Sequence, residues 1–184
     1  MRALGPGSVS SFLKIILDVV FAALWIGISI LGLITLAAIL LGFNPDFLAS
    51  FHLGGDAADA RDGALAELTR NGPSITSGLL AAALYLGGVL IIVGALRRIF
   101  TTLTSGDPFH PDNVARLRLI GLMLAGLELG RYVFWAVSAW LLPGVNHVEP
   151  SMSLTAWFSV LVVFVLAEVF REGARLRREA ELTI

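Results

Sequence analysis

Glu128 and Arg131 stand three positions apart inside a long apolar run, and no other side chains in the chain are as costly to place. On a helix, positions i and i+3 share a face, so this carboxylate and guanidinium can neutralise each other. Such a pair has two uses. It can be a buried polar switch or a ligand or proton site, or it can be an internal ion pair that fixes how its helix packs. In either case, removing one partner strands the other charge. Asp18 and Glu168 come next, each at the boundary of an apolar run and within reach of Arg97, Arg98, Arg116 or Arg171. They predict either a ring of ion pairs tying helix ends together or a pocket whose occupancy shifts the neighbouring turn and tail.

Other chemistry has little to work with. The chain has no cysteine, which excludes disulfides, thiolate nucleophiles and zinc–thiolate sites. Its three histidines, His52, His110 and His147, fall outside the apolar runs, so no haem between helices is expected. No HExxH, GxSxG or carboxylate-rich helix pair occurs, and the expectation is a protein that is not an enzyme and needs no metal or cofactor.

The elements that must position these residues follow from composition. Over 184 residues, 57% are hydrophobic and only 15% charged. Soluble domains carry nearer 25% charged residues, and a mean hydropathy of +0.84 points to lipid as the solvent. Apolar runs of sufficient length predict four spans, at about 15–43, 75–98, 116–142 and 153–171, in a single membrane domain over 1–184. The fold class is all-α, an integral membrane four-helix bundle. Asn44-Pro45 should stop the first span. Residues 44–74 read as a mainly acidic external loop, in which Asp56–Arg70 forms a short helix ended by Asn71-Gly72-Pro73. At mid-chain, Ser105-Gly106-Asp107-Pro108 ends a helix and Pro111 suits the first turn of the next.

Arginine placement orients the whole. Arg2, Lys14, Arg97, Arg98, Arg116, Arg118, Arg171, Arg175, Arg177 and Arg178 fall on one side of these spans, with only Arg61 and Arg70 on the other. By the positive-inside rule the turn at 97–118, the tail at 171–184 and both termini face the cytoplasm. The tail basics suffice to attract anionic lipid. Interrupted by Glu172, Glu179 and Glu181, they do not make a nucleic-acid surface.

Glu128 lies ten positions beyond Arg118, about 15 Å deep at 1.5 Å per residue, near mid-membrane. A charge there costs roughly 2.5–3.5 kcal/mol and is expected to face the protein interior. Small residues supply a second face. Ala83 and Gly87 in the second span, and Gly126 and Gly130 in the third, are small-xxx-small pairs that permit close helix approach. On a helical wheel, Gly126 and Gly130 point roughly opposite to the charged pair. Their expected use is packing within the chain, with a homodimer contact as the alternative. Phe109, between two prolines, should pack back on the bundle or dock a partner.

Two stretches carry a family resemblance. One is Gly106-Asp107-Pro108-Phe109 leading through Asn113 into Arg116-Leu117-Arg118-Leu119-Ile120-Gly121. The other is Leu166-Ala167-Glu168-Val169-Phe170-Arg171-Glu172-Gly173 with the closing Glu181-Leu182-Thr183-Ile184. Together they resemble the uncharacterised bacterial membrane family known as domain of unknown function 2975. The resemblance implies four spans, an inner-membrane location and no established activity. Genes of that family often neighbour one for a helix-turn-helix DNA-binding regulator, which implies a regulatory membrane partner and no catalytic residue. The function expected is therefore a membrane interaction protein that holds such a regulator in the cytosol. The alternative is a small oligomeric transporter or channel using Glu128 and Arg131, although neither paired broken helices nor internal repeats are found.

Overall fold

The computed structural model describes residues 9–43, 56–141 and 151–182. Four helices make up nearly all of them: α1 (Val9–Phe43), α2 (Asp56–Thr104), α3 (Pro111–Leu141) and α4 (Leu154–Glu181). Each contains a stretch long and apolar enough to cross a membrane, at Phe12–Leu40, Ser74–Thr104, Pro111–Leu141 and Leu154–Ala180. The all-α four-span architecture expected from hydropathy is the one observed. In lipid the backbone must satisfy its own hydrogen bonds, so glycine-rich stretches such as Gly87-Gly88 stay helical where water would loosen them.

One boundary differs from expectation. Residues 56–70 were to form a separate helix, but α2 runs without interruption through Asn71-Gly72-Pro73 into the second span. Proline removes one hydrogen bond, here the one to the carbonyl of Thr69, and its ring crowds that carbonyl. That carbonyl lies just outside the apolar stretch that begins at Ser74, where water can serve it. The expected stop at Asn44-Pro45 and residues 142–150, between the third and fourth spans, lie outside the described residues.

The helices pack in chain order: α1 on α2, α2 on α3, α3 on α4. The two outer pairs are the denser contacts and the α2–α3 junction the thinner. The buried cluster sits near the α2–α3 turn, built from Ala95 and Ile99 of α2, Leu117 and Ile120 of α3, and Ala167 of α4. Lipid tails are as apolar as leucine, so burial alone does not drive these helices together; close fit does. Gly121 shows how close: a Cβ there would sit 3.0 Å from the Phe164 ring of α4. Gly94 gives the ring of Phe21 a similar seat on α2, at 3.5 Å from where its Cβ would be.

Candidate functional site

The best-tied part of the molecule is the turn between α2 and α3. Gly106 has φ +87°, the left-handed conformation that ends helices and that glycine adopts without steric cost. The N–H of Asp107 donates to the Thr102 carbonyl at 3.0 Å and that of Gly106 to Leu103 at 3.2 Å, so the last carbonyls of α2 are capped. Four residues later His110 opens α3, its ring Nδ1 accepting the Asp112 N–H at 3.3 Å.

Asn113 locks these two helix ends together and is completely buried. Its Nδ2 donates to Thr102 Oγ1 at 2.7 Å and to the Pro108 carbonyl at 3.1 Å. Its Oδ1 accepts from Arg116 at 2.9 Å, and Arg116 also reaches the Arg98 carbonyl at 3.3 Å and Asp112 at 3.6 Å. One asparagine thus spans the end of α2, the turn and the first turn of α3. Arg98 and Arg118 remain exposed at this end.

The turn is also clasped to the continuation of α4. Phe109 packs on Phe170, ring centroids 5.7 Å apart at 52°, and lies over Gly173, where a Cβ would come within 2.5 Å of its ring. Asp107 is ion-paired with Arg177. Of the two uses open to Phe109 from sequence, the ring takes the packing one. The Gly106–Phe109 motif and the Phe170–Gly173 motif, far apart in the chain, form one contact.

The boundary charges find partners of two kinds. Asp18 of α1 meets Arg97 of α2 at 2.5 Å, and the same guanidinium lies 4.4 Å from the centre of the Phe21 ring. This ties α1 to α2. Glu168 pairs with Arg171 along α4 itself, and Arg175 with Glu172 at 2.6 Å. These last pairs are exposed and brace one helix rather than join two.

Glu128 and Arg131 pair at 2.7 Å, the carboxylate 11% exposed and the guanidinium 46%. Tyr132, a residue that sequence reasoning passed over although it lies one turn from Glu128, donates its hydroxyl to the same carboxylate oxygen at 2.7 Å. Arg131 also donates to the Ser151 carbonyl at 3.0 Å. Ser151 precedes Ser153, the N-cap of α4, so the pair is anchored to the start of the neighbouring helix. Through Arg131 the pair thus reaches the end of the bundle opposite the turn.

Along that opposite half, α2 and α3 part to leave an apolar groove of about 530 Å³ between Ser77–Leu86 and Gly126–Phe134. Gly126, Gly130 and Gly87 have open space where a Cβ would stand. The two small-xxx-small pairs, Ala83 with Gly87 and Gly126 with Gly130, line this groove and its continuation towards Ile91 and Met123. The packing within the chain expected of Gly126 and Gly130 is made instead by Gly88, against Leu127, and Gly121, against Phe164. Arg131, expected on the opposite face from the glycines, borders the same groove. The flexible length of arginine carries the charge around from its backbone position.

No group of three or more histidine, cysteine, aspartate or glutamate side chains suited to a metal ion occurs among the described residues. Four apolar helices, an ion-paired charge and a hydrogen-bonded turn define a multi-pass helical membrane protein. The chain belongs to the family described as Protein of unknown function (DUF2975), whose model matches residues 8–184. No curated protein and no solved structure matches it.

Proposed function

We propose that the chain is a regulatory interaction protein of the bacterial inner membrane. Its turn end and both termini face the cytoplasm, and it holds a cytosolic helix-turn-helix regulator there. The observation that supports this reading is the clasp of Phe109 and Asp107 on Phe170, Gly173 and Arg177. It joins the turn and the α4 continuation into one surface at the arginine-rich end, where the positive-inside rule favours the cytoplasm. Leu176 and Leu182 stay exposed on that continuation, among Arg175, Arg178 and Glu179. Isolated leucines amid charges suit the rim and anchor pattern of a transient helix contact.

The test is recovery of the regulator with tagged protein from native membranes. Leu176→Glu, which leaves the clasp intact, and truncation after Phe170, which removes half of it, should each reduce recovery. If both variants recover the regulator as wild type does, the surface is not the contact.

A further inference from the structure

The groove between α2 and α3 lies within the membrane-spanning stretches, at the end away from the clasp, and a charged residue borders it. We propose that it binds an anionic phospholipid of the surrounding bilayer, one acyl chain in the groove and the headgroup phosphate on Arg131.

The shape favours a chain. The groove and its continuation run from Ser77 to Ile91, roughly 21 Å at 1.5 Å per residue, against about 15 Å for one leaflet of a 30 Å hydrocarbon core. Its volume of about 530 Å³ is that of a ligand site. Its floor is Gly126 and Gly130, open above their Cα atoms, which lets a flexible methylene chain lie against backbone.

The charge selects the headgroup. Arg131 uses one terminal nitrogen, Nη2, for both Glu128 and the Ser151 carbonyl. Its Nε and Nη1 hydrogens have no partner among the described residues, and the guanidinium is about half exposed while Glu128 is nearly covered. An anion approaching from the lipid side meets the cation first. The nearby N-terminus of α4, capped by Ser153, adds the positive end of a helix dipole. A second copy of the chain is the rival occupant. Across a two-fold contact each copy offers the other the same patch, whose carboxylate, Glu128, is nearly covered and already bonded to Arg131 and Tyr132. The open hydrogens of Arg131 gain no acceptor there, whereas a lipid phosphate supplies one.

Native mass spectrometry of the full-length protein released from detergent tests this with phosphatidylglycerol and phosphatidylcholine as probes. Wild type should retain phosphatidylglycerol over phosphatidylcholine by a few-fold, since only the half-exposed hydrogens of one paired arginine distinguish the two headgroups. The pair Glu128→Gln with Arg131→Gln keeps hydrogen-bonding groups without stranding a charge, and should abolish that preference. Gly126→Leu with Gly130→Leu places side chains whose Cβ atoms meet nothing within 4 Å, fills the groove and should eliminate retention of either lipid, with circular dichroism checking that the helices persist. Equal retention of the two lipids by wild type overturns the headgroup assignment, and undiminished retention by the leucine variant overturns the groove. A lipid-free wild-type dimer that the leucine variant dissociates makes the groove a protein interface and overturns the proposal entirely. Recovery of a cytosolic regulator through the opposite end is unaffected by these outcomes.

Discussion

Asn113 shows how much one side chain can hold. It has no exposed surface, and both ends of its carboxamide are bonded, to Thr102 and Pro108 on one side and to Arg116 on the other. A buried polar group left without its partner costs about 1–3 kcal/mol. Asn113→Ala strands the Pro108 carbonyl and one lone pair of Thr102, so thermal unfolding in detergent should shift down by that order. Asn113→Asp keeps the bond from Arg116 and removes both donors, and should also lower the midpoint. An aspartate variant that melts with wild type would mean the two donated bonds contribute nothing. The sequence offered Asn113 only as part of a motif. Its role depends on Thr102, eleven positions earlier, and no periodicity connects the two. Glu128 and Arg131 were easier to find, because charge inside an apolar run is conspicuous by itself. Tyr132 was not, because a tyrosine in a membrane helix needs no special explanation.

At the level of elements, hydropathy and helix-stopping residues account for most of what forms. The spans, the stop at Gly106 and the start at Pro111 all follow from local chemistry. Continuity of α2 through Pro73 does not, because the local cost of an interior proline, about 3 kcal/mol, does not reveal that a 49-residue helix absorbs it. Which small residues would be packed was also hidden. All of them permit close approach, and only the arrangement of helices decides that Gly121 meets Phe164 while Gly126 faces open space. The clasp between the turn and α4 is likewise a tertiary fact, and it makes a quantitative prediction. Gly173→Ala places a methyl about where the Phe109 ring sits and must displace the ring. Phe109→Ala removes the ring and vacates that space. The double variant should therefore be more stable than the sum of the single losses implies, with a coupling of about 0.5–3 kcal/mol for residues in contact. Additive losses in the same unfolding assay would show that the two residues do not touch. Circular dichroism of each variant would confirm that α4 remains helical while the clasp opens.

The molecule as a whole is a row of helices, tight at one end and parted at the other. The tight end holds the buried cluster, the capped turn and the clasp; the parted end holds the groove and the Glu128–Arg131 pair. In the proposed orientation the tight end faces the cytoplasm, because translocating Arg97, Arg98, Arg116, Arg118 and the tail arginines would oppose insertion. Absence of natural cysteine makes this directly measurable. Ser105→Cys labels the turn, and Ser105 is exposed, its hydroxyl bonded only to the Thr102 carbonyl of its own helix end. Met152→Cys labels the opposite end, where Met152 is exposed just ahead of α4. With a membrane-impermeant thiol reagent able to enter the periplasm, intact cells should modify the residue at 152 promptly and spare the one at 105. Opening the inner membrane should then make the residue at 105 react. Modification of 105 but not 152 in intact cells would place the clasp outside, beyond reach of any cytosolic regulator. Equal modification of both before opening would mean the two ends do not lie on opposite sides of a bilayer.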